Sequence, residues 1–384
     1  MCANGVFMFI DWLTIHQDYS YELPLIGDRA FLVVDMTVDG AGDVIGTKCP
    51  AINHEGSFST SLQIRISGNR LTVSGNPSRI NRIDNLFGFR TIEQCVDVYN
   101  RVLADYGLPP FTKATYVTHI AGIDSKLRTI TDGAIFTEIH ITTNKCVGQG
   151  AEDDYIKGVS TQPYRNSIPR LHTNGKTCDW LTKTGKGGRL IYPSIYNKGY
   201  ELRLHALPKI TRKFGVDSEE YKYLLSVIEY CEKNGVVRFE QKIKSELLRR
   251  EHLNIYGRAD LDKFIFLHED FLSIDKKIQV EKMSLENITE RLIREGVCDN
   301  TKAANVTTLY AIQWASGHVF DLNLTQVRTH RARLRKIGID IALPCDLTKF
   351  ALVTVRESRT IEIKSLPIPS WYRRPESNPL RLVA

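Results

Sequence analysis

Ser61-Leu62-Gln63-Ile64-Arg65-Ile66-Ser67-Gly68-Asn69-Arg70-Leu71-Thr72-Val73-Ser74 is the stretch from which the fold is read. Apolar and polar residues alternate over Ser61–Ile66 and resume after the turn at Leu71-Thr72-Val73-Ser74. Each arm therefore has one face to bury and one to wet, and the Ser67-Gly68-Asn69-Arg70 turn joins them as an antiparallel hairpin. Working outward, further strands are expected at Val6–Thr14, Ala30–Val38, Ala134–Thr142 and Val236–Lys244. Helical spacing appears at Thr91–Tyr106, with Gly107 as its stop, and at Ser218–Asn234, where Leu224, Leu225, Val227, Ile228 and Cys231 share a face. Between them, Cys146–Gly188 is rich in Gly, Ser, Thr, Asn and Lys. It reads as a surface connection with one helix near Asp153–Ser160, and Arg189–Leu207 follows as a strand or hairpin. No regular βαβ repeat emerges, so the fold class is α+β on a mainly antiparallel sheet flanked by helices. Residues 1–265 form the expected core. The chain turns helical from about Ile278, so residues 278–384 form a second, mostly helical region.

The chain has 384 residues, 42% of them hydrophobic and 25% charged, the composition of a globular protein with a real core. Its formal net charge of +7 is compatible with a polyanionic partner without requiring one. The eight cysteines form no Cys-x-x-Cys pair, which argues against a zinc ribbon and for reduced, buried thiols. Met1–Leu13 lacks a basic leader and a cleavage site, so no signal peptide is expected. No apolar run is long enough for a transmembrane helix. Neither a G-x-G-x-x-G fingerprint nor a Walker A motif is present, which removes the usual support for nucleotide-cofactor folds.

Four constellations carry possible chemistry. Ile195-Tyr196-Asn197-Lys198-Gly199-Tyr200-Glu201 places Tyr196 and Lys198 two apart, on one face if the segment is a strand. A phenolate can attack a phosphodiester, and an ammonium beside it lowers the cost of forming that phenolate. The alternative is a tyrosine packed by its ring. Glu138-Ile139-His140 puts a carboxylate and an imidazole on one strand face, able to co-ligate Mg²⁺ or Mn²⁺ or simply to face solvent. Arg238, Glu240, Lys242 and Lys244 share a face of the next strand. Glu240 could complete a metal site, and Arg238 and Lys242 could hold phosphates; an exposed ion-paired strand is the alternative. The run Lys176–Arg189, with Lys183, Lys186 and Arg189, is a cationic loop suited to single-stranded DNA or merely solvated. Near the C-terminus, Thr307–Ser316, a turn, and Leu324–Lys336 read as a helix-turn-helix. Its second helix carries Arg328, Arg331 and Arg335, which would contact DNA or form a basic solvent face.

Taken together, Asp11-Trp12, Tyr196-Asn197-Lys198-Gly199-Tyr200-Glu201 and Arg238-Phe239-Glu240 resemble the rolling-circle replication initiators. The nearest pattern is that of the gene II type replication proteins of filamentous bacteriophages (the II/X family), and Rep_trans plasmid initiators share the tyrosine-x-lysine and arginine-x-glutamate pattern. Leu86-Phe87-Gly88 and the closing Pro369-Ser370-Trp371-Tyr372 fit the same pattern. The resemblance implies a site-specific nickase with strand-joining activity. Tyr196 would become linked to a 5′ phosphate at the plus-strand origin, with Lys198 assisting and Glu201 and Glu240 at acidic positions of the motifs. It further implies a divalent metal, double- and single-stranded origin DNA and host replication proteins as partners, no membrane, and the bacterial host cytoplasm. One departure stands out: Glu138-Ile139-His140 occupies the place of an arginine-isoleucine-aspartate segment. No His-x-His pair exists, so this is not a two-histidine initiator. Two rival expectations are a non-catalytic DNA-binding regulator and a nuclease that uses metal-activated water.

Overall fold

The computed structural model describes residues 7–24, 26, 31–36, 42–48, 50–55, 61–121, 127–277, 287–344 and 363–375. The first strand, β1 (Met8–Asp18), is followed by β2 (Phe31–Met36) and β3 (Gly42–Lys48), which among the described residues pair with each other. Next come β4 (Ile52–Glu55), the hairpin β5 (Ser61–Ser67) and β6 (Arg70–Gly75), and α1 (Ile92–Asp105). The expected hairpin is present in register, with Ile64 opposite Val73. β7 (Val117–Ala121) and β8 (Leu127–Thr131) form a separate ribbon ahead of β9 (Ile135–Cys146) and α2 (Glu152–Val159). The chain continues through β10 (Ile168–Leu171), β11 (Thr177–Leu181), β12 (Ile191–Asn197), α3 (Lys198–Glu201), α4 (Leu207–Phe214), α5 (Glu219–Asn234) and β13 (Val236–Lys244). It then adds α6 (Ser245–Arg250), α7 (Leu261–Leu272), α8 (Asn287–Arg294), α9 (Thr301–Ala315), α10 (Thr325–Lys336) and the short β14 (Lys364–Ser365).

Ten strands make one sheet in the order β10-β11-β12-β13-β9-β1-β6-β5-β4, with β14 also paired to β9. Every ladder in it is antiparallel. The fold class is therefore α+β, with a helical C-terminal region. One face of the sheet buries Ile139, Ile141, Ile243 and Ile191 against α1, α6 and α7 in the largest core cluster. Phe239, Ile195 and Trp180 continue that face under α2 and α7. On the other face, only the end holding Val236 and Cys146 is apolar, and there α4 and α5 cover it through Ile210, Leu224, Val227 and Ile228. Moving along the same strands, side chains become polar and the face opens.

Two expectations change. Cys146–Gly188 is more than a surface connection, because β10 and β11 extend the sheet. Cys178 and Trp180 alternate inward from β11 and anchor it, in a segment too short and too glycine-rich for periodicity to stand out. The strand expected through Leu207 stops at Asn197, whose side chain accepts a hydrogen bond from the Tyr200 amide at 3.0 Å and so starts a helix. Lys198 is thus the first residue of α3 and does not share a strand face with Tyr196. A π-helical turn, Leu202–Ala206, joins α3 to α4.

α8, α9 and α10 pack on a core of their own around Leu292, Ala311, Trp314 and Leu334. Cys95, Cys146, Cys178, Cys231 and Cys298 are free and buried, while Cys2, Cys49 and Cys345 lie outside the described residues, as do Val6, Ala30 and residues 278–286. Among the described residues no helix is long and apolar enough to cross a membrane.

Candidate active site

The register of three ladders builds the site. His140 of β9 lies opposite Trp12 on one side and Lys242 on the other. Tyr196 of β12 is opposite Arg238, and Ser194 is opposite Glu240. Because side chains alternate, Glu138, His140, Tyr196, Glu240 and Lys242 all rise from the open face. Asp11 joins them through a β-bulge: the pairing of Ile10 with Ile141 is followed at once by Trp12 with His140, leaving Asp11 as the extra residue. The segment between β6 and α1 folds over the same face and contributes Asn76, Arg79 and Asn85. Together these groups line a cleft of about 630 Å³ that also includes Trp12, Thr14, Ser74 and Glu201.

The Tyr196 hydroxyl donates to Glu240 Oε2 at 3.1 Å. Glu240 Oε1 lies 3.2 Å from His140 Nδ1, and the opposite ring nitrogen, Nε2, is 2.6 Å from Glu138 Oε1. Lys244 closes the row at 2.7 Å from Glu138. An imidazole between two carboxylates is favoured in its doubly protonated form, in which neither ring nitrogen can act as a ligand. Burial would raise Glu240 and lower His140, but their mutual hydrogen bond, with Glu138 as His140's other acceptor, outweighs it: the carboxylate falls and the imidazole rises. Glu138 is brought down to about 2 against the effect of burial by His140 and Lys244. Burial pushes the Tyr196 phenol well above its ordinary range, and Glu240 adds to that.

A second network lies beneath the cleft. Lys198, 0% exposed, donates from Nζ to Asn85 Oδ1 at 2.8 Å and to Glu201 Oε2 at 2.6 Å. Its ammonium sits 6.0 Å from the centre of the Tyr196 ring. Burial and then Arg238 lower the Lys198 pKa, with Glu201 acting the other way; Glu201, which burial alone would raise, is lowered by Lys198. Asn85 Nδ2 donates to both oxygens of Asp11, at 2.9 and 3.1 Å, and Asn76 Nδ2 donates to Asp11 Oδ1 at 2.7 Å.

Arg238 requires a correction as a phosphate contact. It is 0% exposed, its Nε donates to Asn144 Oδ1 at 2.9 Å, and its Nη2 donates to the carbonyls of Asn85 and Leu86 at 2.6 and 2.9 Å. Nη1 faces Asp11 at 3.7 Å. A buried guanidinium held in this way lies beneath the cleft, and its loss would leave Asp11 with only the amide donors of Asn76 and Asn85.

The remaining basic residues are spread out. Lys242 lines the cleft, 3.6 Å from Glu240. Lys183 and Lys186 are exposed on the β11–β12 loop, and Arg189 pairs with Glu246 at 2.7 Å. On α10, Arg328 is exposed, whereas Arg331 and Arg335 reach Asp340 at 2.6 and 3.7 Å. Asn76, Arg79 and Asn85 were not singled out from sequence. Asn76-Pro77 signals only a turn, and nothing local to Asn85 announces that its segment crosses the sheet.

The oxygen and nitrogen donors of Glu138, His140 and Glu240 suit a hard divalent ion in kind, but each ring nitrogen is engaged by a carboxylate. Among the described residues no group of three or more His, Cys, Asp or Glu is set to hold a metal as packed.

The family model for the C-terminal part of the phage replication-associated protein of gene II type matches residues 292–378. The replication-associated protein of this type from Escherichia phage If1 is 53% identical over 315 residues, which is 82% of this chain and 98% of that protein. No solved structure matches the chain.

Proposed function

The chain belongs to the family of phage replication-associated proteins of gene II type, and from that premise we propose that it initiates rolling-circle replication as a nickase and strand-joining enzyme. Its substrate is origin DNA, duplex at first and then opened so that one strand enters the cleft. Tyr196 Oη attacks the scissile phosphorus and forms the new P–O bond. The bond to the leaving 3′ oxygen breaks, and that oxygen takes up a proton as the 3′ hydroxyl. The phenol proton passes to Glu240, which already accepts it in a hydrogen bond at 3.1 Å. That hydrogen bond, at the floor of a cleft also lined by cations, is the observation that carries the reading.

The other groups take roles from their positions. Lys242 and Arg79 line the cleft and neutralise phosphate oxygens. Lys198 places a positive charge beneath the Tyr196 ring, which favours the phenolate as it forms, and Glu201 and Asn85 hold that charge in place. Glu138, His140 and Glu240 would hold Mg²⁺ or Mn²⁺ once the imidazole gives up a proton, and such an ion supplies charge neutralisation at the phosphate. The phosphotyrosine bond conserves the energy of the broken linkage, so a later 3′ hydroxyl can rejoin the strand without a nucleotide cofactor. Host replication proteins extend the freed 3′ end, and the reaction belongs to the bacterial cytoplasm. The helical C-terminal region, with Arg328 foremost, binds the duplex, and Lys183, Lys186 and Arg189 flank the entering strand.

The test is incubation of wild type and Tyr196→Phe with supercoiled origin DNA and Mg²⁺. Nicking is read on an agarose gel and covalent adduct on a denaturing gel. Wild type is expected to nick and to form an adduct, and the variant to do neither. Nicking by the variant, or nicking without adduct, overturns the assignment in favour of a water-using nuclease. No nicking by wild type leaves a DNA-binding regulator.

A further inference from the structure

The C-terminal segment 363–375 packs on the core, where β14 pairs with β9 opposite Cys146 and Lys145. Leu366 and Tyr372 are buried in the same cluster as Ile83, Leu86 and Phe87. The Tyr372 hydroxyl donates to Asp84 Oδ1 at 2.6 Å and accepts from Arg82 Nη2 at 2.6 Å and from the Phe87 amide at 2.9 Å. Its ring meets the Phe87 ring edge-on at 5.1 Å. Arg82 adds bonds to the carbonyls of Phe87 and Arg373, at 3.0 and 2.7 Å. One side chain from the far end of the chain thus grips both sides of Asn85, the residue that joins Asp11 to Lys198.

We propose that Tyr372 is a positioning residue for the reaction: through the 82–87 segment it holds Asn85, and through Asn85 it sets the Lys198 ammonium under Tyr196. This rests on the nickase reading above. An alternative role is simple packing, but packing needs only the ring. Three hydrogen bonds to one hydroxyl, all to residues flanking Asn85, fix a backbone position. Burial first, then Asp84, keeps the phenol protonated, so it remains a donor. The rest of the segment has separate anchors: the Tyr230 hydroxyl donates to the Pro367 carbonyl at 2.7 Å, away from residues 82–87.

Tyr372→Phe keeps the ring and removes the hydroxyl. In full-length protein, single-turnover adduct formation on a single-stranded origin oligonucleotide is expected to slow about tenfold, with KM within about twofold of wild type. Hydrogen exchange of the Leu86 and Phe87 amides is expected to quicken in the same variant. Tyr230→Phe should change neither quantity. Asn85→Ala should slow the reaction by itself, and adding Tyr372→Phe to it should cost little more, because both act on one path. Unchanged exchange in Tyr372→Phe overturns the clamp. Quickened exchange with an unchanged rate overturns its positioning role, as do equal losses in Tyr230→Phe or full multiplicativity with Asn85→Ala. Exchange needs no DNA, so failure of the nickase reading would appear separately, as absence of adduct in wild type alongside quickened exchange in the variant.

Discussion

Glu240 is approached by the Tyr196 hydroxyl, the His140 ring and the Lys242 ammonium. A carboxylate so surrounded is a weak base at rest; on the proposed reading it orients the phenol oxygen before DNA arrives and takes the proton only as the attack proceeds. Directly across the sheet, His268 shows the opposite treatment. Its Nε2 lies 3.0 Å from Thr143 Oγ1 and its Nδ1 3.4 Å from Gln241 Oε1. Burial, and secondarily the Lys145 cation, lowers its pKa to about 3 from 6.5. Between those values the unfolded chain binds a proton that the folded chain refuses. The stabilisation is therefore complete above pH 6.5 and is lost as pH falls toward 3, by at most about 1.4 kcal/mol per pH unit. Urea unfolding from about pH 7 to about pH 5 should show this slope in wild type, and His268→Gln should flatten it.

At the scale of elements, the turn between α5 and β13 matters most, because β13 carries Arg238, Glu240 and Lys242. Gly235 ends α5 at φ +61°, and a Cβ there would meet the Gly148 carbonyl oxygen at 1.9 Å. Gly235→Ala is expected to destabilise by about 2 kcal/mol or more, lowering the urea midpoint without changing its slope. β13, α5 and the β5–β6 hairpin were legible in the sequence because their periodicity is local and their ends carry turn residues. β10 and β11 were not: four- and five-residue strands hold too few alternations to stand out among glycines and lysines. Lys198, expected to share a strand face with Tyr196, instead begins α3, with its ammonium 6.0 Å from the centre of the Tyr196 ring. A strand period extends only as far as the strand, and the Asn197 cap ends it one residue earlier. Asn76 and Asn85 were illegible for another reason, since their roles arise when a loop crosses a sheet it does not belong to. The acidic and basic residues of β9 and β13 could be read onto one face. That Arg238 lies under that face rather than on it depends on the same loop.

For the whole molecule, the sheet and the helical unit divide the proposed labour. On that reading catalysis would use the cleft and duplex binding would use α10. Arg328 is exposed there, whereas Arg331 and Arg335 also secure Asp340, so only the first can be removed without loosening the unit. Arg328→Ala should weaken duplex-origin binding and reduce the slope of log K against log salt by about 1. Cleavage of a short single strand should be unaffected. A filter-binding salt titration beside the oligonucleotide assay checks both, and a parallel loss would remove the division.

The grip of Tyr372 on residues 82–87 also has a place in time. Arg82 and Tyr372 are separated by 290 positions. At bacterial translation rates of about 5–20 residues per second, the loop waits roughly 15–60 s for its clamp to be synthesised. A growing chain on the ribosome already bears Tyr196, yet the cleft around it is finished only when the last stretch has emerged. On the proposed reading, a chain that already carries Tyr196 therefore still lacks the contacts that hold Asn85 in place.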